Sequence, residues 1–223
     1  MTEGQGKEMI GFYNYTVILT FMSLLSAITG ITLAHGGNYS GAIICIALSG
    51  FFDIFDGKVA RTKKDRTADE KLFGIELDSL CDVVAFVTAP AVLCYCMGVD
   101  GRIGILAIAI FCICGVMRLG YYNVREINLF FSGGGHTEVY FGMPVTTSAV
   151  AFPLAYMFRS MVSENAFILI LTFLLFGLGV LFISPFKLKT LGIKQLIGIC
   201  VGVLVILVVT FIFAEGEVNG LIN

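Results

Sequence analysis

The chain has 223 residues, 57% of them apolar and 13% charged, with a formal net charge of −2 and a mean hydropathy of +0.93. An ordinary soluble domain carries about 25% charged residues, so this composition excludes one. The slight net negative charge also argues against a nucleic-acid partner. Repeated apolar runs long enough to span a bilayer mark an integral membrane protein.

Residues 1–13 form a short polar start, with no cleavable signal peptide evident, because the apolar run that follows is long enough to span. The first expected span runs from about Tyr15 to Ala34 and ends at the turn His35-Gly36-Gly37-Asn38. The second covers about Tyr39 to Ala60, and a charged loop from Arg61 to Lys71 follows. A third runs from about Phe73 to Met97, Asp100-Gly101-Arg102 makes a tight turn, and the fourth covers about Ile103 to Tyr122. Residues 123–140 read as a longer polar loop containing Gly133-Gly134-Gly135. Further spans are expected at about Val145–Met161, Ala166–Ser184 and Leu196–Phe213. The expectation is thus an all-α integral membrane protein, a bundle of about six to seven transmembrane helices in one membrane domain over 1–223.

The basic residues set the expected orientation. With the connections numbered alternately, Lys7, Lys58, Arg61, Lys63, Lys64, Arg66, Lys71, Arg118, Arg125, Lys187, Lys189 and Lys194 fall on one side, and Arg102 and Arg159 on the other. Lys and Arg accumulate on the cytoplasmic side of membrane proteins. The N-terminus and the loop from Arg61 to Lys71 are therefore expected in the cytoplasm, in a cell membrane.

The seven cysteines lie in or beside apolar segments, and their C-x-C spacings are not those of a zinc site. They read as small buried apolar side chains. His35 and His136 read as solvated loop residues. Lys187, Lys189 and Lys194 read as interfacial anchors near anionic lipid.

The stretch Asp53–Asp82, DIFDGKVARTKKDRTADEKLFGIELDSLCD, carries the chemistry. Asp53 and Asp56 are three apart and Asp78 and Asp82 four apart, so on helices each pair shares a face. Four carboxylates at the ends of two apolar segments repel one another unless a cation joins them. Hard divalent cations take oxygen ligands, and Mg²⁺ is commonly shared between carboxylates and substrate phosphates. Gly57 and Gly74 leave backbone open to close approach, and Arg61 supplies a cation suited to phosphate. The stretch therefore suggests a metal-dependent reaction on a phosphate at the membrane edge. Charged residues that merely snorkel to water, or a divalent-cation transporter, are the alternatives.

The pattern Asp53-x2-Asp56-Gly57-x2-Ala60-Arg61…Gly74-x3-Asp78-x3-Asp82 resembles the signature of the CDP-alcohol phosphatidyltransferase family. Twelve residues separate Arg61 from Gly74, more than is usual in that family. Within it, the chain is similar to the membrane-embedded phosphatidylserine synthases of bacteria. That similarity rests on GIELDSLCDVVAF with Ala89-Pro90, on Met117-Arg118-Leu119 with Tyr122-Asn123, and on Phe141-Gly142-Met143-Pro144. It covers residues from about 15 to 160. Val87 stands where those enzymes often have Gly, and Ser23 where an Asn is common.

The resemblance implies an enzyme that transfers a phosphatidyl group from CDP-diacylglycerol to an alcohol and releases CMP, with its active site at the cytoplasmic ends of helices 2 and 3. It implies two divalent cations, Mg²⁺ or Mn²⁺, held by Asp53, Asp56, Asp78 and Asp82, with Asp82 also the general base. Asp56, Gly57, Ala60, Arg61, Gly74 and Asp78 would bind the CDP-lipid. L-serine is the expected acceptor, with Arg118 on its carboxylate and Asn123 nearby; glycerol 3-phosphate or inositol phosphate is the alternative. Members of the family are often homodimers.

Overall fold

In the computed structural model, five helical segments among the described residues are long and apolar enough to cross a membrane: Tyr15–His35, Tyr39–Gly57, Ala68–Cys96, Arg102–Phe131 and Glu164–Ile183. The structure describes residues 11–60, 62–63, 65–132 and 139–189, together with Gly198 and Gly202. The protein is a multi-pass, all-α integral membrane protein. The expected span Leu196–Phe213 lies outside the described residues.

A 3₁₀ turn at Tyr15–Val17 leads into α1 (Ile18–His35), and α2 spans Tyr39–Ala60. The two pack along a stripe on α1 made of Thr20, Ser23, Ala27, Gly30 and Ala34, whose spacings of three and four place them on one face. Small residues let helix backbones approach closely where lipid gives no hydrophobic drive. A Cβ on Gly30 would stand 3.1 Å from the Cys45 Cβ and 3.3 Å from the Ala42 carbonyl oxygen. Two hydroxyls finish the contact, Ser23 donating to the Ser49 carbonyl at 3.0 Å and Ser26 to that of Cys45 at 2.8 Å.

The third crossing is not one regular helix. α3 (Ala68–Asp82) starts with a capping box, in which Thr67 accepts from the Glu70 N–H while the Glu70 carboxylate accepts from the Thr67 N–H. It passes through a π-helical turn at Val83–Thr88 into α4 (Ala89–Cys96). Pro90, which has no N–H, sits just past this turn. The wider i→i+5 pattern, with Ala89 N–H donating to the Val84 carbonyl, absorbs the break.

α5 (Arg102–Phe131) extends nine residues beyond the expected end at Tyr122. The segment read as the start of a polar loop contains neither Gly nor Pro through Ser132, so the helix continues past its apolar stretch. Where a fifth span was expected at Val145–Met161, the chain forms a 3₁₀ turn (Val145–Thr147), the nine-residue α6 (Ser148–Tyr156, with Pro153 inside) and a second 3₁₀ turn at Arg159–Met161. α7 (Glu164–Ile183) completes the described helices. Strands β1 (Val139–Phe141) and β2 (Lys187–Lys189) pair antiparallel and tie the two flanks of α6–α7 together. Gly142 makes the turn after β1 at φ +67°, and a Cβ there would lie 2.6 Å from the Phe182 carbonyl oxygen, so only glycine fits.

The core lies between α2, α5, α6, α7 and the π turn. Phe86, Phe111, Phe152 and Phe182 are fully buried in it, and the Phe111 ring packs on Phe152 and Phe182 at centroid distances of 5.9 and 5.5 Å. Val87 is accommodated by a glycine opposite: a Cβ on Gly115 of α5 would stand 2.7 Å from the Val87 Cγ2. Gly50 of α2 faces Ala149 of α6 in the same way, with a hypothetical Cβ 2.6 Å from the Ala149 Cβ. Gly50→Ala is expected to destabilise the detergent-solubilised protein by about 1–3 kcal/mol through overpacking. A thermal-unfolding series with Gly57→Ala, which meets nothing within 4 Å, as the control checks this; equal shifts for both variants would refute it.

Candidate active site

The four signature aspartates come from the last two turns of α2 and the last two turns of α3. The spacing of three on α2 and four on α3 turns each pair toward the other helix. One carboxylate oxygen from each of Asp53, Asp78 and Asp82 lies within 4.8 Å of the other two. Asp53 approaches Asp82, and Asp56 approaches Asp78, across the interface. Asp56 is the most enclosed of the four, with 7% of its surface exposed. Thr20 of α1 donates to its Oδ2 at 3.1 Å, so three helices contribute to one polar cluster.

Three charged carboxylates at this separation would repel by about 3 kcal/mol per pair at an effective dielectric near 20. An all-oxygen, all-anionic donor set at this spacing suits a hard divalent cation of the Mg²⁺, Mn²⁺ or Ca²⁺ kind and not a soft one. The donor set thus fits the divalent ions expected from the sequence. No cysteine or histidine joins it among the described residues.

The other expected site residues divide into three groups. Gly57 faces open space one residue after Asp56, which leaves its backbone accessible. Gly74, one turn before Asp78, is covered by the guanidinium of Arg66, whose Nη2 lies 2.5 Å from where a Cβ would be. Ala60 ends α2, and Arg61 lies outside the described residues.

Arg118 and Asn123 both sit on α5. Arg118 is buried, 8% exposed, with its guanidinium 4.6 Å from the centroid of the Tyr122 ring. The Asn123 amide bridges to α3: Nδ2 donates to Glu76 Oε2 at 3.2 Å, and Oδ1 accepts from the Ser79 hydroxyl. Since Ser79 follows Asp78, this bridge ties α5 to the aspartate-bearing segment of α3. Thr20, Glu76, Ser79 and Arg66 are additions to the residues that motif spacing picked out. The signal for Thr20 and Ser23 is the row of hydroxyls Thr20, Ser23, Ser26, Thr29 and Thr32 in an otherwise apolar run.

The family model of the CDP-alcohol phosphatidyltransferases matches residues 13–213. The chain belongs to the CDP-alcohol phosphatidyltransferase family. Among its relatives, it is 34% identical over 152 residues to the archaetidylserine synthase of Methanothermobacter thermautotrophicus, an overlap of 68% of this chain and 61% of that protein. It is 33% identical over 152 residues to the CDP-diacylglycerol--serine O-phosphatidyltransferase of Saccharomyces cerevisiae, covering 67% of this chain and 50% of the yeast protein. Over 180 residues it is 30% identical to the enzyme of the same name from Helicobacter pylori, covering 78% of this chain and 71% of the relative. The matched segment thus spans half to about three-fifths of the first two relatives. Membership accounts for the aspartate geometry: the signature residues of the family are the ones that α2 and α3 bring together.

Proposed function

We propose that this protein makes phosphatidylserine from CDP-diacylglycerol and L-serine, releasing CMP. The observation that carries the reading is the convergence of Asp53, Asp78 and Asp82 across two helices, in a family of phosphatidyltransferases. Relatives named for serine transfer in bacteria, archaea and yeast support serine as the acceptor.

In this reading Asp53, Asp56, Asp78 and Asp82 hold two divalent cations, Mg²⁺ or Mn²⁺. Bound there, the cations would offset the diphosphate charge and ease departure of CMP. Thr20 holds the Asp56 carboxylate in place through its 3.1 Å hydrogen bond. Asp82 accepts the proton of the serine hydroxyl, whose oxygen attacks the phosphorus of the phosphatidyl group. The bond from that phosphorus to the CMP oxygen breaks, and CMP leaves with the electron pair. Asp82 contributes by taking the proton as the oxygen–phosphorus bond forms. Gly57, Ala60, Arg61 and Gly74 line the donor's cytidine and diphosphate, beside Asp56 and Asp78. The acyl chains remain in the bilayer while the phosphates reach its edge.

Arg118 holds the serine carboxylate, and the bonded pair Asn123 and Glu76 presents oxygen acceptors to the serine ammonium. A buried cation beside an aromatic ring suits a small anion. Arg118→Ala is expected to raise the serine KM roughly 10- to 100-fold, the range of a lost charge-assisted hydrogen bond, while leaving the KM for CDP-diacylglycerol near its original value. Steady-state kinetics with each substrate varied in turn checks this; an unchanged serine KM would remove Arg118 from the acceptor site. The excess of Lys and Arg on the aspartate side supports a cytoplasmic site in a cell membrane. The family resemblance carries the expectation of a homodimer.

The deciding experiment is CMP release by purified protein in detergent, from CDP-diacylglycerol with Mg²⁺ or Mn²⁺ and a panel of alcohols. Release that requires L-serine supports the proposal. Release with glycerol 3-phosphate or inositol phosphate in its place would keep the phosphatidyl transfer and discard serine.

A further inference from the structure

The loop between α2 and α3 is anchored on both sides. Thr62 shares a 3.0 Å hydrogen bond with the Tyr15 hydroxyl, and the Lys63 ammonium pairs with Glu70 Oε1 at 2.7 Å. Thr67 closes the capping box with Glu70. Between these anchors stands Arg66. Its Nη2 donates to the Glu70 carbonyl at 3.2 Å and lies over Gly74. Glu70 O is also the i→i+4 acceptor for the Gly74 N–H within α3, so the bond to Arg66 is not required to satisfy that carbonyl.

Gly74 and Asp78 are four residues apart on one face of α3, about 6 Å along its axis. The guanidinium thus sits roughly one turn from an aspartate of the cluster, on the same face. A planar, permanently charged fork at that position matches phosphate oxygens two at a time. The absent side chain at residue 74 is what lets the fork lie there: any Cβ would collide with Nη2 at 2.5 Å.

We propose that Arg66 is a diphosphate-binding residue of the donor site, supplied by the loop between α2 and α3. The proposal rests on the phosphatidyltransferase reading above. It gives the loop a role, delivery of a cation to the aspartate cluster, and gives Gly74 a second one, as the seat of that cation.

The test is binding of CDP, measured by calorimetry in a neutral detergent without phospholipid, alongside steady-state kinetics. Arg66→Ala is expected to raise the Kd for CDP and the KM for CDP-diacylglycerol roughly 10- to 100-fold, with the serine KM unchanged. Arg66→Lys recovers part of the loss, since an ammonium keeps the charge but not the fork. Gly74→Ala, which displaces the guanidinium, is expected to weaken CDP binding in the wild-type background and to do so by a smaller factor in the Arg66→Ala background, where only its own contact with the donor is left to lose. Unchanged CDP affinity in folded Arg66→Ala overturns the proposal. So does a loss that appears only in vesicles containing anionic lipid, which would make Arg66 a headgroup contact. Wild-type protein that binds no CDP would instead overturn the donor reading beneath it.

Discussion

Asp82→Asn is expected to slow CMP release by about 10²- to 10⁴-fold, the contribution of a well-placed general base. The amide keeps the size and one oxygen of the carboxylate but cannot take the hydroxyl proton. Asp82 is also one of the three residues whose carboxylate oxygens lie within 4.8 Å of each other, so the substitution weakens cation binding as well. Titration with Mg²⁺ separates the two roles. A rate that stays low when the cation is saturating assigns the loss to the missing base. A rate that returns to the wild-type value at high Mg²⁺ leaves Asp82 as a ligand only and moves the base elsewhere. Binding of CDP at saturating cation is expected to remain within a few-fold of wild type, because the Gly57 and Gly74 backbones are untouched.

Removing the cations is expected to have the larger effect. Protein stripped with EDTA should show no CMP release, with activity restored by Mg²⁺ or Mn²⁺. Stability should move too. Carboxylates gathered this closely repel in the metal-free protein, and a cation that binds only the folded state adds RT ln(1 + [M]/Kd), about 2.7 kcal/mol at a hundredfold excess over Kd. The midpoint of thermal unfolding should therefore rise with added Mg²⁺. Asp78→Asn, which removes one of the repelling charges, should raise the midpoint of the metal-free protein and flatten its response to Mg²⁺, while abolishing activity. An Asp78→Asn protein that is less stable without metal and responds to Mg²⁺ as the wild type does would show that the cluster is not a cation site.

The bounds of α2 were legible to the residue, because the glycine turn before it and the charged loop after it are strong local signals. Asn38 adds a side-chain cap, accepting from the Gly41 N–H at 2.9 Å. The end of α5 was not legible. Its polar residues beyond Tyr122 look like a loop in one dimension but are held by neighbours in three, through Asn123 on Ser79 and the Lys71 ammonium 5.6 Å from the Phe130 ring. The span expected at Val145–Met161 has enough apolar residues but carries Pro144 before it and Pro153 within it, and it folds as short pieces. In the site, the helical spacings of three and four placed each aspartate pair on one face, and three of the four carboxylates converge. Thr20 could not be assigned to Asp56 that way, because the partners are 36 positions apart and only α1 packing on α2 joins them. Arg66 was hidden for a related reason: its position over Gly74 depends on how the loop folds back, which the anchors at Tyr15 and Glu70 determine.

The π turn at Val83–Thr88 begins one residue after Asp82. Each residue of an α-helix advances the side-chain direction by about 100°, so one extra residue in a turn rotates everything beyond it relative to everything before. The third crossing therefore behaves as two rods joined by an angular offset. The rod before the turn is free to point Asp78 and Asp82 at α2, while the turn and the rod after it bury Phe86, Val87 and Leu93 in the apolar interior. An uninterrupted helix would have to satisfy both orientations with a single azimuth, and any change in core packing would swing the carboxylates off their partners. With the offset in place, the half of the segment beyond the turn can be repacked without re-aiming the chemistry.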